Sequence, residues 1–149
     1  MVKFKDNDKA YSECIKNGII VPTENLEIEK IKTNLKIAEE DIETAKLALS
    51  KKNYNSGYKL YYDALHSLVE AFLCFDKIKS QNHQCLFAYL CHKHHELELN
   101  WNFFEKVRTK RNGINYYGTP VDLKDWKEVE ITFNLYINLL KKKIIEKTS

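Results

Sequence analysis

Glycine and proline are scarce in this chain of 149 residues, with four of the first and two of the second. Long stretches therefore run without a backbone breaker, which argues against a sheet of many turns and for helices. No apolar run approaches the roughly 18 residues needed to span a bilayer, and the opening MVKFKDNDKA has no apolar core of a signal peptide. No membrane contact and a cytoplasmic location are therefore expected. A net charge of only +3 permits a nucleic-acid partner without requiring one. There is no glycine-rich phosphate loop, no Gly-x-Ser-x-Gly elbow, and no Glu-x-x-His pair of the di-iron bundles. No cofactor is expected. Four cysteines, Cys14, Cys74, Cys85 and Cys91, in a cytoplasmic protein read as reduced thiols.

What is present is helical periodicity. Ile28, Ile31, Leu35, Ala38, Ile42, Ala45 and Leu49 step by threes and fours from an N-cap near Thr23. Tyr58, Tyr61, Leu65, Leu68, Phe72 and Phe75 form a second seam after the break KKNYNSG. Small Ala64 and Ala71 beside that seam allow close approach. Two long seams joined by a short loop read as an antiparallel pair. A helix ending near Ser80 to His83 is followed by a shorter one over residues 84–97, a fourth from Asn100, and a last one from Thr119-Pro120 through Trp126, Val129, Phe133, Tyr136 and Leu140. The expected fold is all-α, an antiparallel bundle of four to five helices over residues 22–149. Residues 1–21 are expected to form an arm on the bundle, with a short helix from about Lys9 to Asn17 stopped by Gly18.

Polar chemistry concentrates in KVRTKRNGINYYG, residues 106–118. Arg108, Arg111, Asn112 and Asn115 share one face of a helix. Two guanidiniums and two amides on one face suit phosphate or a nucleic-acid backbone. Gly113 weakens the helix there by roughly 1 kcal/mol, so the helix is expected to end near it and leave Asn115, Tyr116 and Tyr117 on a turn. The plainer reading is a solvated helix end with both tyrosines tucked onto the bundle. Two further clusters have competing meanings. Cys91, His92, His94 and His95 are zinc-type ligands, yet their spacing fits no standard finger, so they read as a polar helix end and no metal is expected. His66, beside the aromatic seam, reads as a boundary histidine with a hydrogen bond or as a general base.

The long amphipathic helix, the aromatic–alanine helix YKLYYDALHSLVEAFLCF at 58–75 and the later Arg111-Asn112 together resemble the HEPN family of small helical bundles. The resemblance spans roughly residues 26–145. It implies a homodimer and, in many members, metal-independent ribonuclease activity from an Arg-x(4–6)-His signature. Other members pair with small nucleotidyltransferases in toxin–antitoxin systems, or bind nucleotide or RNA without cleaving it. Here Tyr116 stands where the signature histidine is expected, and Tyr117 and Gly118 fill the looser spacings. The expectation is thus a non-catalytic module whose ligand residues are Arg108, Arg111, Asn112, Asn115 and Tyr116. The alternative is a ribonuclease in which Tyr116, Asn115 or a histidine from elsewhere completes the site around Arg111.

Overall fold

A computed structural model of the chain describes residues 6–149 and shows an all-α helical bundle. The helices are α1 (Asn7–Lys16), α2 (Ile28–Ser50), α3 (Tyr54–Cys74), α4 (His83–Lys93), α5 (Trp101–Tyr117) and α6 (Leu123–Thr148). Residues 1–5 of the expected arm lie outside the described part.

The two seams form the expected pair, with α2 packed along α3. Ile31, Ala38 and Ala45 are fully buried, and Ile28, Leu35, Ile42 and Leu49 pack half-buried at the margin. Gly57 lets the pair close tightly at its loop end, since a Cβ there would lie 2.5 Å from Leu49 Cδ2. The other face of α3 receives α6, where Tyr58, Tyr61, Trp126 and Phe133 interlock edge to face and tilted. Helices α4 and α5 pack on α3 as well, which makes α3 the axis of the core, with twelve buried residues of its own.

Several helix ends fall elsewhere than the sequence signals place them. Helix α2 starts at Ile28, not near Thr23, because Val21–Pro22 (β1) pairs antiparallel with Ile78–Lys79 (β2) and the Thr23 N–H donates to the Lys77 carbonyl at 2.8 Å. Helix α3 stops at Cys74, short of Ser80, and Lys77 turns the chain with a φ of 55°. Helix α5 runs through Gly113 to Tyr117 and closes at Gly118, whose φ is 62°. The Thr119 N–H caps the Gly113 carbonyl at 2.9 Å there. The last helix begins at Leu123, because Asp122 and Asp125 form a reciprocal capping box and the Thr119-Pro120 signal goes unused.

Helix α1 packs on α4 and is bonded to it covalently. Cys14 and Cys85, with Cα atoms 5.8 Å apart, form a disulfide, which corrects the expectation of four reduced thiols. The two residues are far apart in sequence and meet only once α1 folds back on α4, so their spacing gave no pairing signal. Cys74 and Cys91 are free and buried. No helix among the described residues is long and apolar enough to cross a membrane.

Candidate functional site: a cleft between α4 and α5

The inward stripe of α5 is Trp101, Phe104, Val107 and Arg108, all buried. Three are core residues; the fourth is a cation and needs a partner to be buried at all. Glu105, one turn earlier, supplies it: Arg108 Nη2 donates to Glu105 Oε2 at 2.8 Å and Nε to Oε1 at 3.2 Å. Glu105 also accepts from Gln84 Nε2 at 3.0 Å, which ties α5 to the start of α4.

Arg111, one turn further on, is held less completely. Its Nη2 lies 3.6 Å from Asp63 Oδ1, and its Nη1 donates to Asn112 Oδ1 at 3.3 Å. The guanidinium carbon sits 5.2 Å from the centre of the Tyr62 ring, a cation–π arrangement. Its Nε is buried without a hydrogen-bond partner. Arg108 is thus anchored inside the protein, whereas Arg111 keeps donor capacity.

These residues line an open cleft of about 260 Å³. From α5 come Arg108, Arg111, Asn112 and Tyr116. The opposite wall is Gln81, Asn82, His83 and Gln84, the segment in which Asn82 caps α4 by accepting from the Cys85 N–H at 2.9 Å. Four of the five candidate residues are therefore brought together. Asn115 is exposed and does not line the cleft, although counting along the helix sets it on the same face.

The cleft also holds a histidine that the sequence reading placed in a helix end. His83 stacks on His66 of α3, with ring centres 3.7 Å apart and planes 24° apart. The His83 Nδ1 is 2.9 Å from the Tyr62 hydroxyl. Both imidazoles have their pKa lowered to about 4: His66 by burial and then by the Arg111 charge, His83 by burial, then by His66 and then by Arg111. Burial raises the Tyr62 phenol above its ordinary range, so it keeps its proton. With a neutral His83, that hydroxyl donates to Nδ1 and leaves the ring proton on Nε2. His66 does not have the hydrogen bond expected of it. Its Nε2 is 3.4 Å from Glu70 Oε1 but out of line for a bond, and it is buried without a partner. The signal for His83 was present in Asn82, a good N-cap followed by the apolar run of α4. Only the packing of α4 against α5 shows that it faces the arginines.

The Cys91–His95 segment is dispersed over separate contacts. Cys91 is buried, and burial pushes its thiol up to about 12. His92 stacks on Tyr11 and lies 3.0 Å from Asp8 Oδ1. His94 bridges Asp76 and Glu96. No group of three or more His, Cys, Asp and Glu side chains among the described residues is placed to hold a metal ion. Compared with family models, with curated proteins and with solved structures, the chain matches none.

Proposed function

We propose that this chain is a HEPN-like helical module that binds nucleotide or RNA in the α4–α5 cleft without cleaving it, as a homodimer. A nucleotidyltransferase partner, as in a toxin–antitoxin pair, belongs to the same proposal. The observation that carries it is the convergence of Arg108, Arg111, Asn112 and Tyr116 on one open cleft, where the Arg111 guanidinium has one amide acceptor and a longer contact to Asp63. A guanidinium with donors to spare suits the oxygens of a phosphate. His83 and His66, held near 4, are neutral at pH 7, give up no proton there and are weak bases. That favours binding over catalysis. A cytoplasmic location is part of this proposal and has one feature against it, the Cys14–Cys85 disulfide, a bond that a reducing cytoplasm opens.

The test is binding of labelled RNA across a salt series. Arg111→Ala weakens binding roughly 10- to 100-fold, the worth of a charged hydrogen bond, and flattens the salt dependence. Unchanged binding in this variant would sink the proposal. Light scattering should find two chains per particle.

One observation favours the alternative, a metal-independent ribonuclease: a histidine from elsewhere, His83, does stand beside Arg108 and Arg111. Metal-free RNA cleavage by wild type, lost in both Arg111→Ala and His83→Ala, would decide for the enzyme. Cleavage gained only in Tyr116→His would show a nuclease geometry without its proton carrier.

A further inference from the structure

We propose that Tyr116 is a base-stacking platform and that the cleft therefore takes an unpaired nucleotide of single-stranded RNA, its phosphate on Arg111 and its base on the Tyr116 ring. The inference deepens the reading of the cleft as a phosphate-binding site and rests on it.

The chain treats its tyrosines in two ways. Tyr58, Tyr61 and Tyr62 are buried in the aromatic core. Tyr116 and Tyr117, which a plain helix end would tuck onto the bundle, instead keep 69% and 80% of their surface exposed. Of these two, Tyr116 lines the cleft. An aromatic ring carries a large apolar face, and this one is left in solvent beside two guanidiniums.

Its position is fixed by the helix. Because α5 continues through Gly113, Tyr116 sits one turn beyond Asn112 and five residues beyond Arg111, about 7.5 Å along the axis. A loop there would leave the ring unplaced; the helix holds it in the wall of the cleft that Arg111 also lines. A ring stacks on any base face, because every base has one, so recognition of this kind tolerates sequence. It does not tolerate pairing: in a duplex the base faces are covered by their stacked neighbours, and only the edges and the backbone remain accessible. The amides of Gln81, Asn82 and Asn112 around the cleft can donate and accept hydrogen bonds at the sugar and the base edge.

The experiment is fluorescence anisotropy of a short labelled single-stranded RNA with wild type, Tyr116→Ala, Tyr116→Phe and Arg111→Ala. The same RNA annealed to its complement, and a strand carrying an abasic spacer at every position, are measured alongside. Tyr116 is exposed, so its variants keep the fold. Stacking predicts that Tyr116→Ala weakens single-strand binding roughly 5- to 150-fold with an unchanged salt slope, and that Tyr116→Phe retains it. The duplex and the abasic strand should bind wild type as weakly as the intact strand binds Tyr116→Ala. Wild-type affinity in Tyr116→Ala, with binding lost in Arg111→Ala, would overturn the platform and leave the phosphate site standing. Equal affinity for strand and duplex would overturn it too. No binding of any RNA by wild type would remove both the platform and the reading beneath it.

Discussion

His94 has an acceptor on each ring nitrogen. Nε2 lies 2.6 Å from Asp76 Oδ2 and Nδ1 lies 3.2 Å from Glu96 Oε1. Two carboxylates accept only, so both bonds are made when the ring is an imidazolium. The hydrogen bond to Asp76 raises the His94 pKa above its ordinary value, and the same bond helps hold the Asp76 carboxyl below its own against the opposing effect of burial. A raised histidine contributes stability that is fully present below its unfolded pKa of about 6.5 and is lost as pH rises through the folded value. His94→Gln should therefore cost about 1–2 kcal/mol at pH 5.5 and clearly less at pH 9. Urea unfolding of both proteins at the two pH values reads this, and an equal gap at both would refute it. Residues of this kind show how far the sequence speaks for a site. Spacing on one helix placed Arg108, Arg111 and Asn112 together, because helical neighbours follow from counting; it also placed Asn115 with them, which does not line the cleft, and it left Tyr116 on a turn, whereas the helix runs past it. It did not place Glu105 as the partner that pins Arg108, nor His83, which reaches the cleft from another helix. Nor did it show that His94 is tied to Asp76, a contact that depends on how the α3–β2 turn meets the end of α4.

At the scale of elements, the two long helices were legible and their ends were not. The seam of α2 repeats over its whole length, and no local interaction competes with that. A helix end turns on one or two hydrogen bonds of about 1 kcal/mol each, so a tertiary contact easily moves it. Pairing of β1 with β2 delays α2, the Gly113–Thr119 cap extends α5, and the Asp122–Asp125 box postpones α6. Replacing Asp122 by Ala should cost about 1 kcal/mol, visible as a lower unfolding midpoint. Helix α1 depends most on a single link. It buries only Ala10 and Cys14, and Cys14 is bonded to Cys85 across a separation of 71 residues. Closing a loop of that length restricts the unfolded chain by about 4 kcal/mol in the chain-entropy description. Reduction, or Cys14→Ser with Cys85→Ser, should lower stability by up to that amount. It should also speed amide exchange in α1 first, since α3 and its neighbours hold the core without it. Uniform loss of protection across α3 and α6 would show instead that α1 is part of the cooperative core.

For the whole molecule, the pH dependence of folding should follow from two histidines that the core keeps neutral. His66 and His83 both have pKa values lowered to about 4, first by burial. In the unfolded chain they take up protons near 6.5. Between those values the unfolded state binds more protons, so stability must fall as the solution is acidified. A full depression of this size removes about 2 kcal/mol between pH 7 and pH 5 for His66 alone, and His83 adds to it. His94 does not oppose the trend, because its contribution is already complete below 6.5. The lowered carboxylates, Asp76 and Asp125 among them, lose their contribution only as pH falls below their ordinary 3.8. Asp41 and Asp63, whose pKa values burial raises, bind protons in the folded state before the unfolded one and work against the decline, so the fall in stability between 6.5 and 4.5 is carried by the stacked pair. Chemical denaturation across that interval should show a steep decline in wild type and a shallower one in the double variant His66→Gln, His83→Gln, whatever that variant loses at neutral pH. The slope is the diagnostic quantity, since a packing defect shifts the whole curve and leaves its pH dependence unchanged. If both proteins decline in parallel, the two rings are protonated in the folded cleft. The cleft would then present one further cation, His83, to its ligand, with a second, His66, stacked behind it, and the case for binding without proton transfer would fail with it.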